Sequence, residues 1–220
     1  VFWPIIRRFH RPSAGILVAT QSVAAQLRGQ RLAQTRPWSR GVDLSQFSPE
    51  HAAPAVFEHL ARPIQLYVGR VAVEKNVEAF LASDHKGSKV VVGDGPARER
   101  LEKLYPSAHF LGLLSGAQLA ACYSGADVFV FPSRTDTFGL VMIEALASGT
   151  PVAALPVPGP IDVLDERYGA MDWDLTRAIG RALALDPRDC VCRGRSFSWE
   201  RSADQFLAAL QPSSLALDPA

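Results

Sequence analysis

Two short apolar runs with a helix-forming stretch between them constrain this chain more than any other feature. Residues 127–131 (DVFVF) and 151–155 (PVAAL) are each short enough for a buried parallel strand. Between them, residues 140–147 are good helix formers, and Gly149 followed by Pro151 is typical of a helix end. The segment therefore predicts a strand, a loop, a helix and a second strand, in that order.

The loop before this helix carries groups suited to an anionic ligand. Thr135, Asp136 and Thr137 are candidate N-caps, which places residues 138–140 on the first helical turn. Backbone N–H groups there lack partners and the helix dipole favours anions. Asp136 and Glu144 lie eight positions apart and can face one cleft at the carboxyl end of the strand. An acidic cap and a solvated helix glutamate are the ordinary explanation of such a pair, so both interpretations stay open.

Outside this unit the chain alternates between short apolar runs and helix-forming stretches. Strands are predicted over residues 64–68, 89–92, 108–111, 127–131 and 152–155, and helices over 74–83, 96–105 and 116–124. Such alternation is typical of a parallel sheet with helices on both faces. The sequence therefore predicts an α/β fold, a Rossmann-like doubly wound parallel sheet of five strands with ligands at the strands' carboxyl ends. After residue 160 the strand pattern stops, and helices are predicted over 174–185, 187–194 and 198–210.

The residues ahead of this sheet have a different character. Residues 1–40 resemble the tail of a domain, with a strand at 15–19, a helix capped by Thr20 and a short strand at 34–38. Residues 41–62 have prolines and little periodicity, and they predict a linker. The chain does not begin with Met, so we expect a truncated start.

Glycines and cations follow the first strand of the predicted sheet. Gly69 ends this strand, Arg70 comes directly after it, and Lys75 stands at the start of the next helix. Two cations and a glycine beside a helix N-terminus suit a diphosphate. A set of surface ion pairs explains the same residues about equally well.

The next two strand ends carry weaker signals. Gly93 and Gly95 permit a tight turn and a close approach of the backbone, but Arg98 stands where the GxGxxG fingerprint requires a third glycine. Leu111 and Leu114 follow at the third strand end, where apolar atoms can lie against a flat nucleotide base.

Composition narrows the range of functions. The net charge of +1 argues against a dedicated nucleic-acid binder. Three cysteines and five scattered histidines show neither a disulfide framework nor a metal-ligand spacing, which favours a reduced, cytoplasmic setting. Asp172 and Asp174 match a DxD pattern used for metal–nucleotide binding, but they open a predicted helix, so a capping role is the better interpretation.

Charge is distributed unevenly along the chain. Residues 1–42 contain no Asp or Glu and seven arginines, namely Arg7, Arg8, Arg11, Arg28, Arg31, Arg36 and Arg40. A basic surface of this kind can meet anionic lipid headgroups or an acidic acceptor. An ordinary surface whose acidic neighbours lie in another segment is the alternative.

Three segments together resemble a known family. GRVAVEKN (69–76), VGDGPARERL (92–101) and FPSRTDTFGLVMIEALASGTPVAA (131–154) are similar, in order and spacing, to the carboxyl-terminal domain of retaining GT-B glycosyltransferases of the group 1 type. That family includes bacterial GDP-mannose-dependent mannosyltransferases, glycolipid-forming enzymes and sulfoquinovosyl transferases. The resemblance covers about residues 35–210. It implies that residues 1–40 are the tail of an acceptor domain, 63–195 a nucleotide-sugar donor-binding domain, and 196–220 a crossing helix and tail.

The resemblance also implies roles for single residues. Arg70 and Lys75 would hold the donor diphosphate, and Glu144 would accept hydrogen bonds from the ribose hydroxyls. Asp136 stands where the family usually has Glu, so its side chain would extend about 1.5 Å less far toward the transferred sugar. The remaining implied donor contacts are Gly69, Gly93, Gly95, Leu111, Leu114 and the backbone amides of Phe138, Gly139 and Leu140.

These roles predict transfer of a hexose from a nucleotide sugar to a lipid or glycan acceptor. GDP-mannose is the first expected donor and UDP-glucose the second. The transfer is expected to need no metal ion, because Arg70 and Lys75 would take the place of one. The expected location is the cytoplasm, with possible peripheral contact at the inner face of the membrane. The alternative is a non-catalytic nucleotide-sugar-binding fragment, because most of an acceptor domain is missing from the sequence.

Overall fold

The computed structural model describes residues 2–210. Its first unit consists of helix α1 (Trp3–His10), strand β1 (Ile16–Val18), helix α2 (Gln21–Gly29) and strand β2 (Thr35–Pro37). The two strands pair in parallel, and the Thr20 side chain caps α2 by accepting a hydrogen bond from the Val23 amide. Both predicted strands and the predicted cap are confirmed, whereas α1 lies outside the predicted elements.

The second unit is a larger sheet with its helices. In chain order it contains β3 (Ile64–Val68), α3 (Val77–Leu81), β4 (Ser88–Val92), α4 (Arg98–Leu104), β5 (His109–Gly112), α5 (Gly116–Gly125), β6 (Val128–Phe131), α6 (Leu140–Ala147), β7 (Val152–Ala154), α7 (Pro160–Val163), β8 (Gly169–Met171), α8 (Leu175–Ala182), α9 (Pro187–Arg195) and α10 (Trp199–Ala209). Short 3-10 helices cover Ala55–His59 and Val73–Lys75.

The order of the strands fixes where a ligand can bind. All pairings are parallel, and the order across the sheet is β5-β4-β3-β6-β7-β8. From β3 the chain adds β4 and then β5 toward one edge of the sheet. It then crosses back to β6, on the other side of β3, and adds β7 and β8 toward the opposite edge, which is the strand order of dinucleotide-binding Rossmann folds. The order reverses between β3 and β6, so a crevice opens beyond the carboxyl ends of these two neighbouring strands. The predicted doubly wound sheet is confirmed.

The central strands are buried on both faces, as expected for a parallel sheet between two helical layers. Val128, Phe129 and Val130 of β6 have no exposed surface. Because strand side chains alternate between faces, Phe129 and Phe131 enter one core cluster, whereas Val128 and Val130 enter the other. This packing holds the β3 and β6 carboxyl ends in fixed positions.

Three predictions about elements are wrong. The sheet has a sixth strand, β8, which pairs with β7 although the apolar pattern stops before it. Helix α6 begins at Leu140 with Gly139 as its N-cap, so residues 135–137 do not cap it and Phe138 precedes its first turn. The helix predicted over 74–83 is interrupted at Asn76, which adopts the left-handed conformation with a φ of 55°.

The reasons for the last two differences are contacts distant in sequence. The Phe138 ring is buried and meets the Phe197 ring edge-on at 5.9 Å, which holds residue 138 against the core ahead of α6. The Asn76 side chain donates a hydrogen bond to the Pro132 carbonyl oxygen at 3.0 Å. Asn tolerates the left-handed conformation better than most residues, so the break in the helix costs little.

The last helix connects the two units. Arg36 donates to the Ala209 carbonyl oxygen, the Ser39 amide donates to Gln205 Oε1, and the Trp38 and Phe206 rings lie 5.5 Å apart. The helices predicted after residue 160 are confirmed, and Asp174 caps α8 by accepting hydrogen bonds from the Thr176 and Arg177 amides, as predicted. In residues 2–210 no helix is both long and apolar enough to cross a bilayer.

Candidate functional site

A cleft of about 360 Å³ opens where the strand order reverses, beyond the carboxyl ends of β3 and β6. Two segments supply most of its walls, one following each strand. The residues predicted from sequence that line it are Gly69, Arg70, Lys75, Asp136, Phe138, Gly139 and Leu140. Residues distant in the chain therefore meet at one position, as expected for ligand sites in doubly wound sheets.

Lys75 and Asp136 form the closest charged contact in this cleft. Lys75 Nζ donates to Asp136 Oδ2 at 2.6 Å, and the two side chains are 33% and 21% exposed. An ammonium group has three N–H donors, so two remain for another acceptor beside the carboxylate. The pair can hold one anionic group of a ligand on Lys75 and one hydroxyl of it on Asp136.

Arg70 is held far more loosely. Its guanidinium contacts the carboxylate of Glu74, four residues later, at 3.2 Å, and both side chains are more than half exposed. An exposed pair of this kind contributes about 0–1 kcal/mol. Arg70 can therefore leave Glu74 at low cost and contact an anion that enters the cleft.

The start of α6 presents backbone amides to the same cleft. Gly139 has a φ of +81°, and no side chain of residues 2–210 caps the helix. The first-turn N–H groups have no acceptor inside the helix and favour an anion. A Cβ built on Gly139 would lie 2.8 Å from Met142 Cε and 3.0 Å from Phe131 Cζ, so this position requires glycine.

Gly93 and Gly95 lie beside this cleft and do not line it. A Cβ on Gly93 would lie 1.9 Å from the Gly69 carbonyl oxygen, and one on Gly95 would lie 2.5 Å from the Val71 carbonyl oxygen. The Gly69 amide donates to the Val92 carbonyl oxygen at 3.0 Å. These glycines let the loop after β4 pack against the loop after β3, so the structure gives a packing reason for them. Their contact with a nucleotide stays a prediction.

Leu111 and Leu114 are half-buried and pack against the core cluster that contains Phe129 and Phe131. Leu111 belongs to β5 and Leu114 follows it, whereas the cleft lies between β3 and β6. They lie toward the edge strand, away from the residues that line the cleft. Their role at the base of a nucleotide is therefore a prediction that the geometry leaves open.

Glu144 lies one turn into α6, on the helix face of Leu140 and next to the cleft rather than among its lining residues. Its carboxylate accepts a hydrogen bond from the Tyr123 hydroxyl at 2.8 Å. Burial raises the pKa of Glu144, and the hydrogen bond from Tyr123 opposes that rise. Glu144 is thus held in one orientation by a buried tyrosine, and its contact with a ribose stays a prediction.

Several residues of the site carry no role in the sequence-based assignment. Tyr67 donates its hydroxyl hydrogen to the Arg70 carbonyl oxygen at 2.8 Å and fixes the turn after β3. Burial, followed by the Asp136 and Glu74 carboxylates, raises the pKa of Tyr67. Arg40 lines the cleft with its guanidinium 5.0 Å from the Trp38 ring centroid. No sequence signal points to Tyr67, and Arg40 stands out only as one of the seven arginines of residues 1–42. Ser133, which also lines the cleft, stands inside the third of the motifs quoted above.

Within the described part of the chain, no group of three or more His, Cys, Asp or Glu side chains is placed to hold a metal ion. The expectation of a metal-independent reaction stays a prediction.

Comparison with known proteins gives consistent matches. The family described as Glycosyl transferases group 1 matches residues 62–183. The Sulfoquinovosyl transferase SQD2 of Arabidopsis thaliana is 37% identical over 93% of this chain and 42% of that protein. A GDP-mannose-dependent alpha-mannosyltransferase of Mycolicibacterium smegmatis is 40% identical over 74% of this chain and 44% of that protein. The chain spans less than half the length of these two relatives.

A solved structure agrees with the fold. Sucrose-phosphate synthase from Thermosynechococcus elongatus superposes with a TM-score of 0.81 and 29% identity, covering 94% of this chain and 60% of that chain. The similarity therefore extends over the first unit, the six-stranded sheet and the closing helices.

Proposed function

The chain belongs to the group 1 glycosyl transferases, and from this premise we propose that it is the donor-binding part of a retaining hexosyltransferase. The observation that carries the proposal is the single cleft shared by Arg70, Lys75, Asp136 and the start of α6. A nucleotide sugar has a diphosphate, for which the cations and amides are suited, and a hexose whose hydroxyls a carboxylate can bind.

In this proposal the cleft acts on the leaving group. When the bond between the anomeric carbon and the diphosphate breaks, negative charge grows on the diphosphate oxygens. Lys75 and the first-turn amides of α6 stabilise that charge from fixed positions, which is the main way such sites lower a barrier, and Arg70 joins them when it leaves Glu74. Asp136 then orients the hexose, and Glu144 holds the ribose.

The donor that we propose first is GDP-mannose, with UDP-glucose second. Support comes from the M. smegmatis relative, whose name states dependence on GDP-mannose. The acceptor in this proposal is a lipid or a glycan, bound mainly by a part of the protein outside this chain.

The lipid acceptor is supported by α1. Phe2, Ile5 and Phe9 are each more than 65% exposed and recur at helical spacing. A neighbouring cleft is lined by Arg7, Arg8, Arg11 and Arg31. Exposed apolar side chains beside arginines suit the surface of an anionic membrane, so we propose a cytoplasmic protein in peripheral contact with the inner face.

Titration calorimetry with GDP-mannose, UDP-glucose, GDP, UDP and ADP tests the donor site. We expect saturable binding of at least one nucleotide and its sugar, and absence of binding to all five would overturn the proposal.

Sedimentation with phosphatidylglycerol vesicles tests the membrane contact. We expect the chain to bind the vesicles, and we expect this binding to weaken when salt is added or when Ile5 is changed to Asp. Val73→Asp is the control, because it places the same charge at another exposed apolar position.

A transfer assay separates the enzyme from the alternative of a non-catalytic fragment. The 220-residue chain is compared with a longer protein that carries an acceptor domain of a related transferase ahead of residue 1. Transfer by the longer protein alone supports a donor-binding part that requires a second domain. Nucleotide binding without transfer by either protein supports the fragment.

A further inference from the structure

We propose that the Ser133 hydroxyl is a further donor-binding group of this cleft and hydrogen-bonds the diphosphate of the nucleotide sugar. The inference rests on the proposed function, and it adds a residue to which neither the sequence motifs nor the family resemblance assigns a role. Ser133 follows β6 directly and lines the cleft together with Lys75 and Asp136.

The side chain of Ser133 is buried without a protein partner. The residue is 2% exposed, and among residues 2–210 no group hydrogen-bonds its Oγ atom. A buried hydroxyl that lacks a partner destabilises the folded protein. An alanine at this position would avoid that cost, so the hydroxyl is explained best by an acceptor that arrives with a ligand.

A hydrogen bond ties the chain beside Ser133 to a neighbouring segment of the cleft. The carbonyl oxygen of the preceding Pro132 accepts the hydrogen bond from the Asn76 side chain at 3.0 Å, which ties the turn after β6 to the turn after β3. Lys75 stands next to Asn76 and is itself bonded to Asp136. The turn that carries Ser133 is thus tied to the segment that carries the cation we assign to the diphosphate, which favours a phosphate oxygen as the acceptor of its hydroxyl.

Other serine hydroxyls of the chain have hydrogen-bond acceptors within the protein. Ser83, Ser124 and Ser196 each donate to a backbone carbonyl oxygen. In the described residues, three buried side-chain atoms lack a partner, namely Gln65 Oε1, Ser133 Oγ and Ser148 Oγ. Of these residues, Ser133 lines the cleft that contains Arg70 and Lys75, whereas Ser148 lines a separate cleft with Arg62 and Asp127.

Ser148 therefore provides a matched control for the experiment. Ser133→Ala and Ser148→Ala are compared with the wild-type chain by titration with GDP, UDP and ADP, and by thermal unfolding. We expect Ser133→Ala to weaken binding of the tightest of these nucleotides by about tenfold or more, the usual effect of losing a hydrogen bond to a charged group. Its Tm should equal or exceed that of the wild type, and Ser148→Ala should bind as the wild type does.

A second variant covers the case in which alanine disturbs the turn. Ser133→Cys keeps a group of similar shape with a weaker donor, so we expect affinity between those of Ser133→Ala and the wild type. The loss should be equal for the nucleoside diphosphate and for its sugar. A loss confined to the nucleotide sugar, or a fall in Tm with unchanged affinity, would overturn the assignment.

The two proposals fail in distinguishable ways. If the wild-type chain binds none of the nucleotides, the proposed function fails and the role of Ser133 fails with it. If the wild type binds and Ser133→Ala binds equally well, the role of Ser133 alone is refuted.

Discussion

At the scale of single residues, the Lys75–Asp136 pair is the feature with the clearest chemical consequence. The family to which the chain is similar usually has Glu where this chain has Asp136, and the shorter side chain here contacts Lys75 directly at 2.6 Å. The carboxylate therefore holds the ammonium group in the cleft while it also offers an acceptor to a hydroxyl. A diphosphate can share Lys75 with Asp136, because the two anions use different N–H donors.

Lys75→Met should weaken binding of a nucleoside diphosphate by about 10- to 100-fold, because a hydrogen-bonded cation is lost while the length of the side chain is kept. Titration calorimetry measures the change. Lys103→Met is the control, since Lys103 forms an ion pair of 2.7 Å with Glu99 on the surface of α4. Equal losses in the two variants would contradict a specific role of Lys75.

Glu144→Gln should weaken nucleotide binding by about tenfold, because a neutral amide accepts a weaker hydrogen bond from a ribose hydroxyl. It should also stabilise the fold at neutral pH. The folded-state pKa of Glu144 is raised above its ordinary value of 4.5 by burial, so the folded protein retains a proton that the unfolded chain releases. Stability is therefore lost as the pH rises from 4.5 through the raised pKa.

Denaturant unfolding of both proteins at about pH 4 and about pH 7.5 checks the sign. We expect the advantage of Glu144→Gln over the wild type to be larger at the higher pH. The glutamine can still accept the Tyr123 hydrogen bond, so loss of that contact does not complicate the comparison. An advantage that shrinks as the pH rises would show that burial does not penalise the charged carboxylate.

At the scale of elements, the start of α6 depends on a single glycine. Gly139→Ala should destabilise the protein by about 1–3 kcal/mol, because alanine at a φ of +81° is strained. The buried Phe131 ring, 3.0 Å from the added Cβ, has little room to move. Thermal unfolding should show a lower Tm, together with weaker nucleotide binding.

Gly29→Ala is the matched control for that substitution. Gly29 is the last residue of α2, and a Cβ added there meets no atom within 4 Å. Alanine in a helix is favoured over glycine by about 0.5–1 kcal/mol, so this variant should keep or raise the Tm. A similar fall in both variants would refute the special conformation of Gly139.

The elements also show what sequence patterns can and cannot reveal. Strand β6 is a continuous apolar run, and β3 and β4 are mostly apolar, so the positions of these buried parallel strands follow from the sequence within one or two residues. Strand β8, Gly169–Met171, has no such run, because it lies at the sheet edge and depends on pairing with β7. The candidate caps before α6 were equally misleading, since the burial of Phe138 by a distant ring decides where that helix begins.

Some residues of the candidate site can be predicted from the sequence, whereas others are identified only by contacts in the structure. Its charged and glycine residues stand at strand ends, so a parallel sheet brings Arg70, Lys75 and Asp136 to one edge without further information. Tyr67 and Tyr123 hold that arrangement in place through single hydrogen bonds. They lie inside a strand and a helix where an aromatic residue indicates only burial, so three-dimensional contacts are needed to identify them.

At the scale of the whole molecule, the first unit and the large sheet meet through few specific groups. The Asp162 carboxylate at the start of α7 is one of them, since its Oδ1 atom accepts a hydrogen bond from the Ser22 amide of α2 at 2.9 Å. Its Oδ2 atom accepts from the Gly159 amide at 3.3 Å and so caps α7. One side chain thus ties α2 to the loop that follows β7, at the same edge of the sheet as the cleft.

Asp162→Ala should therefore loosen the first unit while leaving the six-stranded sheet intact. Loss of this hydrogen bond costs about 1 kcal/mol, so amide exchange in α2 should be accelerated about fivefold. Exchange in β3, β4 and β6 should be unchanged, because their protection comes from the two buried cores. Hydrogen exchange followed by mass spectrometry resolves the two regions.

Asp165→Ala is the control, because Asp165 lies three residues later and bonds the amide and side chain of its neighbour Arg167 rather than α2. We expect its exchange pattern in α2 to match that of the wild type. Uniform acceleration across both units by Asp162→Ala would mean that they unfold together, since a local tie would affect only the unit it holds. Acceleration limited to α2 would instead show that the first unit opens locally while the six-stranded sheet stays closed.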